Sequence, residues 1–294
     1  MSPLANHVTE RAAGELRTRR ENWRPLPRRR PPRRVPAVLA IRAPIPKPWR
    51  WTLIVLSLAI PLVVWTALSA SGAVSPTFLP SPRAVLATGL EMARTGELFT
   101  DLWATLRRIL YGFGIAVLIS VPLGIAMGTF QAAQSLFEPL IGLVRYLPAV
   151  AFIPLLLIWL GTDEAPKVAL LVLGTVFFNT VMTADVVRTV PRAIIDVSYT
   201  LGARRGEVLR KVIVPYALPG IIDAIRVNAA AAWNFVVVAE LVASTTGLGR
   251  RIVQAQRFLQ TSKIFAVLVV IAVLGVVIDV ALRLLRNRVG RWVG

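Results

Sequence analysis

Few side chains in the apolar bulk of this 294-residue sequence could bind, pair or relay a charge. Asn179, Asn228, Trp233 and Asn234 stand inside long apolar runs. There an amide or indole N–H either bonds a neighbouring helix or lines a polar path. Tyr146 and Glu240 complete the set of pathway or gate candidates. A charge at membrane depth costs free energy, so each one is a functional hypothesis. Asp223 and Arg226, three positions apart, and Asp279 and Arg283, four apart, have the spacing of ion pairs on one helix face. Glu240 lies near the exterior end of its run and could simply reach the headgroup region.

A second group of polar residues interrupts the apolar pattern altogether. The stretch "DVSYTLGARRGEVLRKVIVP", 196–215, carries six charges between two apolar runs. Ile194, Val197 and Leu201 share a face at helical spacing, and Gly202 follows as the residue able to end that helix in a left-handed conformation. A second helical pattern starts near Arg205, with Val208, Leu209, Val212 and Ile213 on one side and a Glu207–Lys211 pair on the other. Pro215 is expected to stop it. Two short amphipathic helices joined by a glycine turn either lie in the membrane interface, arginines on lipid headgroups, or grip a soluble partner.

Other chemistries are excluded by residue type. There is no cysteine, and the single histidine, His7, lies in the polar N-terminal segment, so no metal site and no catalytic residue is assigned. No G-x-x-x-x-G-K-[ST] phosphate loop occurs. The chain is therefore read as a non-enzyme without a cofactor of its own.

The elements that must hold these residues are transmembrane helices. Hydrophobic residues make up 55% of the chain and its mean hydropathy is +0.65. Repeated apolar runs without period-2 alternation point to spanning helices. Six such runs fall near 51–70, 109–129, 136–160, 168–188, 217–243 and 264–285, the third broken by Pro139, Pro148 and Pro154. Thirteen of the 34 lysines and arginines fall in the first 50 residues, against three acids, which marks that end as cytoplasmic and in reach of anionic membrane lipids. With Trp23 and Trp49 as its only aromatics, that basic segment gives little support for nucleic-acid binding. Six spans then place both termini and the 189–216 interval inside, and the acidic turn 161–167 and "STTGLG", 244–249, outside. The expected organisation is a disordered basic Pro/Arg-rich tail over 1–50, a first transmembrane helix over 51–71, an exterior loop over 72–102, a membrane domain over 103–286 and a basic end over 287–294.

At this point the residues carry a resemblance. The order Asp196, Gly202, "VIVP" ending at Pro215 is similar to the signature loop of bacterial ABC importer permeases, with Asp196 in place of the usual glutamate and Val197 and Ser198 in place of two alanines. "LPSPRAV", "PLGIAMG", "LPAVAFIPLLLIWLG" and "AAWNFVVVAELVASTTGLGRRI" extend the likeness over about residues 75–285 and resemble the nitrate/sulfonate/taurine branch, which bicarbonate permeases share. The resemblance implies an all-α membrane protein with six transmembrane helices and the type I ABC importer permease fold. It makes 103–286 the transmembrane domain and 189–216 the coupling loop, with Asp196, Ser198, Leu201, Gly202, Ala203, Arg204 and Pro215 facing an ATPase. It also implies a homodimer in the bacterial inner membrane, two cytoplasmic ATPase subunits that hold ATP and Mg, and a periplasmic or lipid-anchored substrate-binding protein. In the resembling family an acid is usual at the position of Glu240, which implies a packing or gate role; it would repel an anionic cargo and is not assigned as a substrate ligand.

Overall fold

The computed structural model describes residues 45–290. The readings of 1–44, including most of the basic tail and His7, and of 291–294 lie outside the described residues. Within them every regular element is helical. In order these are α1 (Lys47–Ala70), α2 (Pro82–Arg94), α3 (Glu97–Thr129), α4 (Gln131–Val144), a 3₁₀ turn (Ala149–Phe152), α5 (Ile153–Leu160), α6 (Ala165–Arg188) and α7 (Arg192–Thr200). They continue with α8 (Arg205–Val208), a π turn (Leu209–Ile213), α9 (Val214–Ala243), α10 (Leu248–Arg257) and α11 (Thr261–Val289).

Five helices are long and apolar enough to cross a membrane: α1, α3, α6, the continuous run Arg205–Val242, and α11. The sixth expected span is a pair, α4 and Ala149–Leu160, bent by 79°. Pro148 explains the break. It stands before the 3₁₀ turn with ψ 112°, and its ring removes the N–H that would continue α4. The stretch 72–102 is not all loop: Ser81 caps α2, its hydroxyl accepting from the Ala84 amide, and Gly96 at φ 78° separates α2 from α3.

The chain divides into two units, Met1–Ile60 and Pro61–Gly294. Of the first unit only the opening turns of α1 are described, and they bury no residue. The second unit is built around α3, α6 and α9, whose Ile109, Phe113, Leu171, Ala232, Trp233 and Val236 share one buried cluster. Helix α3 meets α6 closely because of Gly124 and Gly128. A Cβ at Gly124 would stand 2.6 Å from the Thr180 carbonyl oxygen, and one at Gly128 2.6 Å from Val187 Cβ. This is the small-xxx-small spacing that lets membrane helices pack backbone to backbone. A second cluster, Val187, Val190, Val208, Ile213, Ala217 and Ile221, ties the 189–216 element onto the same scaffold.

Candidate functional site

The 189–216 element folds as a helix, a glycine turn and a second helix. Gly202 has φ 82°, its amide donates to the Tyr199 carbonyl, and the Ala203 amide donates to the Ser198 carbonyl at 3.0 Å. That double closure is the left-handed C-terminal cap that glycine makes cheaply. Glu207 then caps α8 from inside, accepting from the Arg204 amide at 3.0 Å and pairing with Lys211 at 3.1 Å. Asp196 is exposed, and the Ser198 hydroxyl donates to the Ile194 carbonyl within its own helix.

The face of Ile194, Val197 and Leu201 turns outward: Val197 is 56% and Leu201 83% exposed, while Ile195 and Ala203 pack against the cluster that holds Val208 and Ile213. One reading of this element needs correction: Pro215 does not stop the second helix, which runs unbroken from Arg205 to Val242. The π turn removes the conflict. The Val214 amide reaches back five residues to the Leu209 carbonyl, so the wider turn accommodates Pro215, which has no N–H to offer.

The membrane amides form a ladder. Asn228 Nδ2 donates to Asn179 Oδ1 at 3.3 Å, and Asn179 Nδ2 donates to Ser120 Oγ at 2.5 Å, so α9, α6 and α3 are joined in their buried interior. This is hydrogen-bonded glue between helices. Asn234 is exposed and, among the described residues, donates only to Ala230 of its own helix, and Tyr146 is 77% exposed beside Arg145. Trp233 is buried in the central cluster, its Nε1 without a partner among the described residues.

Glu240 belongs to a larger construction. Arg108 of α3 donates from all five of its N–H groups: from Nε and Nη2 to Glu164 at 2.6 Å each, from Nη1 to Glu240 at 2.6 Å and the Thr246 carbonyl at 2.7 Å, and from Nη2 to Thr246 Oγ1 at 3.1 Å. Glu240 is 1% exposed and also accepts from Thr105 Oγ1 and the Gly249 amide. Beside it, Asp101 accepts from the Gly247 amide and pairs with Arg251, which also reaches Glu97. The amides of 247–249 in the exterior turn are thus answered by this chain's own Asp101, Thr105 and Glu240. Gly247 is obligatory: its φ is 118°, and a Cβ would fall 2.6 Å from Arg108 Nη1 and against the Glu240 carboxyl. Glu164 precedes α6. The Arg108 hydrogen bonds, helped by Lys167, overcome the opposing effect of burial and hold its carboxyl down at about 2.

At the other end of α9 the expected pairs merge. Arg226 lies 3.8 Å from Asp223 and 3.4 Å from Asp279 of α11; Asp279 also pairs with Arg283, and Asp223 with Arg286. One ion cluster therefore clamps each end of α9. Sequence reasoning passed over Arg108, Asp101, Glu164, Lys167 and Arg251 as site residues, because each flanks an apolar run and reads as an interfacial charge, and over Thr105, a neutral hydroxyl with no local partner to mark it. Glu240, a carboxylate with no cation within three or four positions of it on its own helix, is the signal that a donor from elsewhere must meet it.

Comparison with known proteins agrees with this geometry. Residues 120–291 match the family described as binding-protein-dependent transport system inner membrane component. A probable ABC transporter permease protein of Brucella melitensis is 38% identical over 237 residues, 81% of this chain and 95% of the relative. The taurine transport system permease protein TauC of Escherichia coli is 37% identical over 258 residues, 84% of this chain and 94% of the relative. Among solved structures, an inward-facing MetNI methionine ABC transporter aligns with a TM-score of 0.59 over 64% of this chain and 94% of that one. At 22% identity that likeness speaks for the fold. The chain belongs to the binding-protein-dependent inner membrane components and is the permease subunit of an ATP-driven ABC importer.

Proposed function

We propose that two copies of this chain form the pathway of an inner-membrane importer for a small anionic solute of the sulfonate class, worked by two cytoplasmic ATPase subunits that bind ATP and Mg²⁺. A binding protein on the far side delivers the solute. Nitrate and bicarbonate share the required size and charge. The observation that carries this reading is mechanical: the turn at Gly202 joins α7 to a helix that continues without interruption from Arg205 to Val242. At 1.5 Å per residue that rod is about 57 Å long, enough to cross a bilayer. Ile194, Val197, Tyr199 and Leu201 stand exposed on the element, an apolar face suited to a cleft on a soluble subunit. ATP-driven closure of the ATPases would draw the two elements together and tilt each rod, a rigid-body route to alternating access.

The basic C-terminal turn of α11, with Arg286 and Arg288, supports a cytoplasmic position for that end and for 189–216. The sulfonate class comes from taurine, which the Escherichia coli relative is named for transporting. The chain's lack of cysteine makes the test direct. Leu201→Cys, 83% exposed on the element, paired with a photoactivatable thiol reagent in vesicles of the working complex, should capture an ATP-hydrolysing subunit. Failure to capture one while uptake continues would refute the coupling role. Uptake by the permease alone in liposomes under an ion gradient would instead favour a secondary transporter.

A further inference from the structure

At the Glu240 end of α9, opposite the 189–216 element, α10 presents a charged face that the buried cluster does not use. Leu248, Ile252 and Ala255 turn inward, into or beside the packed interior. Arg251 turns to Asp101 and Glu97. Arg250, Gln254 and Arg257, at i, i+4 and i+7, share the remaining side and line an open cavity of about 330 Å³ against the end of α9, with Ser244 and Phe258. Among the described residues neither Arg250 nor Arg257 forms a salt bridge, whereas Arg251 between them forms two. The Gln254 amide oxygen is buried in the wall without a hydrogen-bond partner among the described residues. A buried amide normally has one, and the side chain can turn to offer N–H instead of oxygen. Glu240 also lines the cavity but keeps its oxygens for Arg108, Thr105 and Gly249, so its charge is answered from behind.

We propose that this cavity between α10 and the end of α9 is a capture site for a small oxyanion, with Arg250 and Arg257 supplying charge and Gln254 a hydrogen bond. Its concave shape fits a sulfonate or carboxylate head better than a flat protein partner. Phe258, 67% exposed at the rim, offers an apolar contact for a short carbon chain. The proposal rests on the reading that the solute is anionic and gives it a receiving site at the far mouth of the pathway.

Because the chain has no cysteine, Gln254→Cys creates a single reactive thiol in the wall. The full-length protein in nanodiscs would be treated with sulfonatoethyl methanethiosulfonate, itself a small sulfonate, and with its trimethylammonium counterpart. A cationic cleft concentrates anions on the order of tenfold. The anionic reagent should therefore react about tenfold faster than expected from a free thiol, relative to the cationic one. That bias should vanish in Arg250→Ala with Arg257→Ala. Added ethanesulfonate should slow the labelling. Ser244→Cys, a near-isosteric change on the opposite wall, gives the same reading if Gln254→Cys fails to fold. Equal relative rates with and without the arginines would overturn the proposal, as would labelling indifferent to ethanesulfonate. Nanodiscs of purely zwitterionic lipid should give the same result as those with anionic lipid. A bias abolished by anionic lipid would assign the site to a headgroup and overturn it. The solute reading is judged apart, by ATP-dependent uptake of taurine, ethanesulfonate and nitrate in the complete complex. Protection without any anion uptake would leave the site standing and remove the sulfonate function.

Discussion

Arg108→Ala should be the most damaging single truncation at the Glu240 end of the molecule. The change deletes five hydrogen bonds that join α3 to Glu164, Glu240 and Thr246, and leaves Glu240, 1% exposed, without its cation. Breaking a buried pair by removing one partner costs about 3–5 kcal/mol. For a folded unit of this size each kcal/mol lowers Tm by roughly 2–4 °C, so the loss should be on the order of 10 °C. The assay is loss of the monodisperse peak on size-exclusion chromatography after stepwise heating in detergent. Arg107→Ala supplies the control: the neighbouring arginine is exposed, and its loss should stay within about 0.5 kcal/mol. The decisive variant is Arg108→Met combined with Glu240→Gln, which removes both charges. If most of the damage in Arg108→Ala comes from the stranded carboxylate, the double variant should regain at least half of the lost Tm. A single variant within about 2 °C of the parent, or a double variant no better than the single, would refute the argument that this cluster holds the end of the bundle.

Three other outcomes follow from the same geometry. Gly202→Val meets no steric obstacle, since nothing lies within 4 Å of a Cβ there, yet it must adopt φ 82° at a cost of about 1–2 kcal/mol. ATP hydrolysis by the complex should then separate from uptake, and tight coupling in that variant would count against the turn's role. Gly128→Ala forces a Cβ to within 2.6 Å of Val187 and should lose about 1–3 kcal/mol, whereas Gly114→Ala on the same helix faces open space and should be neutral or slightly stabilising in the same thermal assay. Glu164 is held at about 2 when folded, against an ordinary 4.5. Its depressed value means that its stabilisation is complete above pH 4.5 and drains away as the pH falls from 4.5 towards 2. Glu164→Gln should flatten the acid limb of the Tm-against-pH curve over that window, and an unchanged limb would remove Arg108–Glu164 from the account.

The spans and their order are readable from the chain because burial in lipid leaves only helices, and long apolar runs announce them. Of the three prolines expected to break the third run only Pro148 does: Pro139 lies inside α4 and Pro154 in the first turn of α5, where its missing N–H costs nothing. Pro215 deceived the same logic. The rule that a proline ends a helix assumes i→i−4 bonding, and the π turn over Leu209–Ile213 changes that register just before it. A widened turn depends on how Val208 and Ile213 pack against Val187 and Val190, and so on contacts the linear pattern does not contain.

The candidate site was legible where partners lie close in sequence and hidden where they do not. Glu207–Lys211 and Asp279–Arg283 are local pairs, and spacing alone finds them. Arg108 and Glu240 are 132 positions apart, and Asp101 and Arg251 are 150 apart. What the sequence does hold is a constraint on the answer. A carboxylate as deep as Glu240 must be met by donors, and only a cation with several N–H groups can meet it while also fixing two loops. Arg108 is buried on α3, and the glycine at 247 is the one residue type that lets a backbone pass over that ion pair without a Cβ striking it. The Arg108–Glu240 pair and Gly247 therefore explain each other. A side chain introduced at Gly247 should cost as much as removing the arginine, because both leave Glu240 without its partner.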